Sequence, residues 1–339
     1  MQQSGSTLGV YLYAQKARAA KRKGETSMVS VLLASYNGEK YIRDQLESIL
    51  RQTLSDLSIV ISDDLSTDGT PAIIREYEER YPGRVRSLKN SKRSGSAQNN
   101  FFRLMRLVSD MPDISDEYVM LCDQDDIWLP HKAEVTLGEM KKLEAEYGKS
   151  VPLLVHGDLS VTDKESRILH ESMAEYQKIA VHDNRFSHYL VENNITGNTV
   201  MVNKALLALL DRIPEECAMH DWWLGLLASC FGRIAYIDRP LVLYRQHGDN
   251  QVGSKSGKEQ YAERIRNQDG VRENYRKMFA QAQQFLRLYG NEMPREKRET
   301  LEHFIGLSGK NRVEKIYTIW KYKLMKSTPM RTLGQMFSI

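Results

Sequence analysis

The sequence predicts an α/β fold: a mostly parallel central sheet flanked by helices, with a helical appendage at its C-terminal end. Three observations carry this. Between Val29 and Tyr147, short apolar runs rich in β-branched residues alternate with segments whose apolar residues recur at helical spacing. Such alternation builds a doubly wound sheet. Strand-like runs also end in polar clusters, Ser35–Asn37, Asp63/Asp64 and Asp123–Asp126, and sheets of this kind bind ligands beyond the carboxyl ends of their strands. From Lys258 onward the pattern is helical and densely charged.

Val29–Ala34 reads as a buried strand, broken by the turn residues Ser35-Tyr36-Asn37-Gly38. Tyr41, Ile42, Leu46, Ile49 and Leu50 then repeat at helical spacing, and Leu57–Ile61 is a second strand. Thr67 or Asp68 is expected to cap the next helix, with Pro71 in its first turn. Val85–Leu88 is a third strand, and the Gly/Ser/Asn loop Ser94–Asn100 leads into a helix over Phe101–Val108. Tyr118–Cys122 is the fourth strand, and Pro130 opens a helix to Tyr147. The second half is less regular. Leu153–Val155, Leu159–Val161, Thr199–Val202, Arg233–Ile237 and Leu241–Tyr244 read as strands, and Met219–Phe231 as a helix.

Composition narrows the class. The chain has 339 residues, 41% of them hydrophobic and 27% charged, enough for a large domain with an appendage or two modest domains. A net charge of +4 is too mild to point to nucleic acid, which selects a concentrated basic face. Cys122, Cys217 and Cys230 show no CxxC spacing, which argues against a disulfide framework or zinc site and for a reducing compartment. No apolar run approaches the roughly 18 residues that span a bilayer. Residues 1–27 are basic around Lys16–Lys23 and lack an apolar core and a cleavage pattern. They are expected to be an extension outside the fold, the alternative being a short helix over Tyr11–Lys23.

Asp123-Gln124-Asp125-Asp126 sets three carboxylates within four residues at a strand end. Like charges this close repel and need a counterion at neutral pH. Hard divalent cations such as Mn2+ or Mg2+ bind through few carboxylates and complete their shell with phosphate oxygens. A departing diphosphate needs such a cation, because charge builds on it as its bond to a sugar breaks. An isolated Asp-x-Asp is more often a solvated turn; the apolar strand before it and Trp128 and Pro130 after it favour a site.

At this point the motifs resemble a known family. Val29–Asn37 with Gly38-Glu39-Lys40-Tyr41-Ile42, Gln52-Thr53, and Asp63-Asp64 with Ser66–Gly69 look like the donor-binding half of the inverting GT-A glycosyltransferases, family two. Asp123-Gln124-Asp125-Asp126-Ile127-Trp128-Leu129-Pro130 is similar to their Asp-x-Asp segment, in the form met in bacterial cell-wall and capsular polysaccharide rhamnosyltransferases. Thr196-Gly197-Asn198-Thr199, His220-Asp221-Trp222-Trp223 and Tyr244–Asn250 continue the likeness.

The resemblance implies a Rossmann-like GT-A domain over 28–252, with 28–130 as the nucleotide-sugar half and 131–252 as the acceptor half. Residues 253–339 would form a helical region. It implies that Ala34, Ser35, Tyr36 and Asn37 line the nucleoside pocket, with Tyr36 against the base and Asp64 accepting the N3–H of uracil or thymine. Asp63 has an equal alternative as a sheet-end or capping residue. Asp123 would lie near ribose or metal, with Gln124 beside the donor, and Asp125 and His247 would hold Mn2+ or Mg2+. Relatives often carry a basic residue in the loop Ser94–Asn100, where this chain has Gln98; Lys92 and Arg93 stand just upstream.

Asp221 is the candidate catalytic base. Inverting transfer needs a group that takes the acceptor hydroxyl's proton as its oxygen attacks opposite the leaving phosphate. Trp222 and Trp223 could exclude water and pack on a sugar face, and Gly197 and His220 would adjoin the acceptor. Asp221 could instead cap its helix, and one of the two adjacent tryptophans is expected to face inward. The family often has Glu-Asp where this chain has His220-Asp221. His156 and Asp158 are expected to solvate a sheet end rather than reach acceptor.

The tail Lys310–Arg331 holds seven Lys/Arg against Glu314, and Val313, Ile316, Tyr317, Trp320 and Leu324 share one helical face. A basic amphipathic helix can lie on an anionic membrane or pack on its own domain with a solvated basic face. The implied reaction takes L-rhamnose from dTDP-L-rhamnose, or a hexose or N-acetylhexosamine from a UDP-sugar, to a lipid-linked glycan. The expected place is the cytoplasm, at the inner face of the plasma membrane, with no nucleic-acid partner. A non-catalytic sugar-nucleotide module is disfavoured by Asp221 and His247, and an aspartyl-phosphate phosphatase by Ile127-Trp128.

Overall fold

A computed structural model describes residues 29–109, 118–247 and 268–338. The expected extension over 1–27 and the boundary at 252/253 lie outside the described residues. Strands β1 (Val29–Ser35), β2 (Leu57–Asp63), β3 (Val85–Leu88) and β4 (Tyr118–Cys122) alternate with helices α1 (Ile42–Leu50), α2 (Thr70–Arg80) and α3 (Ala97–Ser109). These strands run parallel in the order β3-β2-β1-β4, with Val29 opposite both Leu57 and Tyr118.

All seven β1 residues are buried because helices cover both faces of the sheet. The period-two alternation of a strand divides them. Val29, Val31 and Leu33 meet Ile42, Leu46 and Ile49 of α1, whereas Leu32 and Ala34 meet Phe101, Leu104 and Met105 of α3. Gly69 is the N-cap of α2, one residue beyond the expected positions; Asp68 instead accepts the Thr70 N–H at 3.0 Å.

Beyond β4 come β5 (Ile127–Trp128), α4 (Lys132–Tyr147), β6 (Leu153–Thr162), β7 (Ile168–His170), the short helices α5 (Met173–Gln177) and α6 (Phe186–Tyr189), β8 (Met201–Asn203), α7 (Lys204–Leu207), α8 (His220–Phe231) and β9 (Arg233–Arg245). The sheet continues from β4 through β8, β6 and β9 to β5, with β7 on β6. β8 is antiparallel to both β4 and β6, while β6 and β9 run parallel.

Two expected strand pairs each prove to be one strand. Leu153–Val155 with Leu159–Val161 is β6, and Arg233–Ile237 with Leu241–Tyr244 is β9. Gly157 and Pro240, which punctuate the sequence, sit where the β6–β9 register shifts, and the bulge absorbs them without ending either strand.

The C-terminal helices are α9 (Gln268–Tyr289), α10 (Arg295–Ile305), α11 (Arg312–Lys321) and α12 (Pro329–Ser338). Met278, Phe285, Tyr289, Leu301, Phe304 and Ile319 share one apolar cluster with Trp223 and Leu227 of α8 and with α3. Leu324, assigned to the exposed tail face, is fully buried in that cluster, because the chain turns inward after α11. Among the described residues no helix is long and apolar enough to cross a membrane.

Candidate active site

The polar clusters do meet at the carboxyl ends of β1, β2 and β4. The β1–α1 and β2–α2 loops are tied together first. Asp63 accepts Ser35 Oγ at 3.0 Å and Ser66 N at 2.9 Å. Asn37, in the left-handed region that Asn tolerates, accepts Thr67 N at 2.9 Å and donates its own N–H to Ser66 Oγ at 2.8 Å. Asp63 is thus a structural sheet-end residue. Ser35 and Asn37 spend their side chains on the same knot, which leaves them mainly backbone to offer a ligand.

Gln124 holds the end of β4 to the end of β1. Its Oε1 accepts Tyr36 N at 2.9 Å and its Nε2 donates to Tyr36 O at 3.0 Å. A Cβ on Gly38 would lie 2.2 Å from Gln124 Oε1, so a larger residue there would push the Gln124 amide out of this arrangement. Gln124, expected beside the donor, thus spends its side-chain amide on the Tyr36 backbone. The partly exposed Tyr36 ring carries the Arg93 guanidinium 4.1 Å above its centre. Arg93, upstream of Gln98, thus places a cation on this ring. Asp64 is buried, and its carboxylate accepts Ser94 N at 2.5 Å and Gly95 N at 3.2 Å, anchoring the loop that carries Arg93.

The acidic residues divide by direction. Asp126 turns inward: its carboxylate accepts the Asn198 side-chain amide and, at 3.0 Å, Arg245 N of β9. Burial, then the charges of Asp125 and Asp123, push its carboxyl well up. Asp125 turns to His247, with Nε2 2.9 Å from Oδ2. Burial raises Asp125 too, and His247 opposes that rise. The His247 ring stacks on Tyr41 at 4.6 Å, and the Arg245 guanidinium, paired with Asp44 at 3.0 Å, lies 4.8 Å from the centre of the same Tyr41 ring. Asp123 is raised by burial, by Asp125 and by Asp221, so the base candidate shares its electrostatic neighbourhood.

Beneath the cluster lies a cation that sequence reasoning missed. Lys132 is fully buried, with Nζ 3.3 Å from the centre of the Trp128 ring. Burial depresses its ammonium to about 7, against the pull of Cys122 and Asp126. The signal was available: Lys132 falls on the same helical face as Thr136 and Met140, which are buried.

Asp221 stands in the first turn of α8, whose N-cap is Met219 with no side-chain cap. Its Oδ1 accepts Trp222 N at 2.6 Å and Asn193 Nδ2 at 3.2 Å. Burial raises its carboxyl to about 6, against these hydrogen bonds. A carboxylate that accepts protons near neutrality is suited to general-base work.

Residues 30–226 match the family described as Glycosyl transferase family 2. The chain belongs to glycosyl transferase family 2. This glycosyltransferase is a hexosyltransferase. It is 32% identical over 233 residues to the dTDP-rhamnosyl transferase RfbG of Shigella flexneri, a match covering 66% of this chain and 74% of that protein. An uncharacterized protein of Mycobacterium bovis is 28% identical over 225 residues, 65% of this chain and 59% of that protein's length. Among solved structures, residues 1–349 of S. aureus TarS in complex with UDP-GlcNAc superpose with a TM-score of 0.53 at 17% identity, covering 90% of this chain and 82% of that one. That likeness is one of GT-A fold.

Two acceptor candidates of this glycosyltransferase are corrected. Trp223 lies in the core against Phe285 and Tyr289, because α8 is apolar on nearly every side. His220 is buried against Phe101 at 4.2 Å, and neither ring nitrogen finds a hydrogen-bond partner among the described residues. Burial lowers it to about 3, so it is a neutral packing group. Gly197 is there for its size: a Cβ would come within 2.9 Å of His220 Nε2 and 3.6 Å of Asp221 Oδ2. Trp222 is partly exposed and donates Nε1 to Tyr189 O at 2.6 Å. His156 is buried, and Asp158 accepts Ala174 N at 3.1 Å at the start of α5, so neither addresses acceptor.

The acidic end of β4 fits a divalent cation. Burial raises all three carboxyls, and the charge of Asp125 adds to the rise at Asp123 and Asp126, which marks a place short of positive charge. Among the described residues no three His, Cys, Asp or Glu side chains close on a point. Two protein ligands, with diphosphate oxygens and water filling the remaining positions, are what a hard cation at a nucleotide site requires.

Proposed function

We propose that this enzyme transfers L-rhamnose from dTDP-L-rhamnose, with inversion, to a lipid-linked glycan during cell-wall, capsule or O-antigen polysaccharide synthesis. The observation that carries the reaction type is the buried carboxylate of Asp221 beside the acidic end of β4. Donor identity is supported by the likeness to RfbG. In this reading 28–130 binds the nucleotide sugar and 131–252 the acceptor, in the cytoplasm at the inner face of the plasma membrane.

Tyr36 and Arg93 flank the nucleoside. Asp64 retains lone pairs for the base N3–H. Asp125 and His247 would hold Mn2+ or Mg2+, which when bound neutralises charge on the diphosphate. Asp221 takes the acceptor hydroxyl's proton as that oxygen attacks the anomeric carbon, and the Trp222 amide and Asn193 keep its carboxylate aimed. A donor panel tests this: dTDP-L-rhamnose, UDP-glucose, UDP-galactose and UDP-N-acetylglucosamine, each with Mn2+, scored by sugar release. Preferred turnover of dTDP-L-rhamnose is expected. Preferred turnover of a UDP-sugar would overturn the donor, and no turnover of any would favour a non-catalytic module.

A further inference from the structure

Two helices at the C-terminal end carry an apolar surface that the fold leaves uncovered. On α11 the exposed side chains are Val313, Ile316, Tyr317 and Trp320, at helical spacings of three and four, opposite the buried Thr318 and Ile319. On α12 they are Met330, Leu333 and Phe337, opposite the buried Thr332 and Gln335. Val313 is 77% exposed, Trp320 69% and Phe337 67%, values unusual for such large apolar groups in water. The strips form one surface: α11 packs on α12, and the Arg312 guanidinium lies 4.5 Å over the Phe337 ring. An apolar hollow lined by Met325, Pro329, Leu333 and Met336 opens beside it.

The charge around this surface selects its occupant. Of the seven basic residues from Lys310 to Arg331, Arg331 is paired with Glu192, and the one acid in that stretch, Glu314, is turned to the Asn311 N-cap. Arg312, Lys321 and Lys323 are exposed at the rim. Amphipathic aromatics beside Lys and Arg suit the boundary between acyl chains and acidic head groups. We propose that the α11–α12 surface docks this protein on an anionic lipid bilayer, with Trp320, Tyr317 and Phe337 inserted at head-group depth. This deepens the functional reading by naming where a membrane-borne acceptor would be met.

The test uses the full chain with phosphatidylglycerol-containing vesicles and with neutral phosphatidylcholine vesicles, without donor or acceptor. Sedimentation with the acidic vesicles is expected. The double exchange Trp320→Ser with Phe337→Ser should weaken it at least tenfold, and Lys321→Glu should weaken it roughly fivefold or more. Equal binding to both vesicles, or unchanged binding by the double variant, overturns the proposal. So does wild type that is a dimer which the double variant dissolves, since the patch would then be a self-interface. Because no turnover is read, failure here leaves the transferase reading standing.

A second inference stands on different contacts. The segment after α11 is latched to the loop beside Asp221. Arg331 donates to Glu192 Oε1 at 3.0 Å and to Gln177 O at 2.7 Å, and Ser327 N donates to Glu192 Oε2 at 2.5 Å. The next residue, Asn193, reaches Asp221, and Tyr189 in the preceding turn holds Trp222. The geometry points to Asn193 as a positioning residue for Asp221, held in place by the Arg331–Glu192 latch. This rests on Asp221 as the base.

Arg331→Ala should lower kcat roughly tenfold or more with donor KM within about twofold, and Arg331→Lys should recover part of the loss. Unchanged kcat, or kcat and KM falling with loss of folded protein while a folded Asn193→Ala keeps full kcat, overturns it. Asp221→Asn is run alongside. If that variant turns over normally, the base assignment has failed and not the latch alone.

Discussion

Replacing Asp221 with Asn should slow turnover by orders of magnitude and raise stability, both from one cause. Burial lifts this carboxyl from 3.8 to about 6. Tenfold in a proton equilibrium is worth about 1.4 kcal/mol, so the ionised group costs the fold about 3 kcal/mol. The folded pKa lies above the unfolded one, so the native state holds the proton more tightly between these values. Stability therefore falls as pH rises through that window and stays lowered above it. The Asn side chain keeps an acceptor for Trp222 N and Asn193 and carries no charge. At about pH 7.5 the variant should melt on the order of 5 °C higher, with the gap closing below about pH 4. Its transfer rate should drop about 100- to 10,000-fold, the usual worth of a general base. In the wild type, kcat/KM should fall about tenfold per pH unit below about 6. A variant no more stable than wild type at neutral pH, with turnover within tenfold, would refute both the burial argument and the base.

Three other outcomes follow from the site. Asp125→Ala should remove the Mn2+-dependent part of nucleotide-sugar binding in calorimetry, while binding without metal changes little. Arg93→Ala should raise donor KM about fivefold or more, because the cation stacked on Tyr36 is lost; an unchanged KM would detach Arg93 from the donor. Lys132→Met should flatten the pH dependence of stability between about pH 7 and 10. The depressed ammonium makes the native state bind fewer protons than the unfolded chain there, so wild-type stability climbs with pH and the variant's should not.

The first half of the sheet was largely legible. Its strands are short, wholly buried and bounded by Gly, Asn and Asp, so local pattern and tertiary role agree. Val85–Leu88 and Tyr118–Cys122 fall where the pattern places them. The later strands were harder, because Gly157 and Pro240 read as stops while the paired strand carries them through a bulge. The Asp-x-Asp segment and Asp221 were visible as unusual carboxylates beside apolar runs. What they touch was not: Arg93 over Tyr36 and Asn193 on Asp221 are contacts between segments far apart in the chain. A helix such as α8, apolar on nearly all sides, also conceals which of two adjacent tryptophans faces inward.

Asp125 and Asp126 follow one another through the bend between β4 and β5 and take different partners, His247 for the first and Asn198 with Arg245 N for the second. Asp126, pinned between Asn198 and the amide of Arg245, rivets the end of β4 to both the Gly197–Thr199 turn and the end of β9. The separation of these three segments is thereby machined into the frame, and it does not depend on the partner that Asp125 takes.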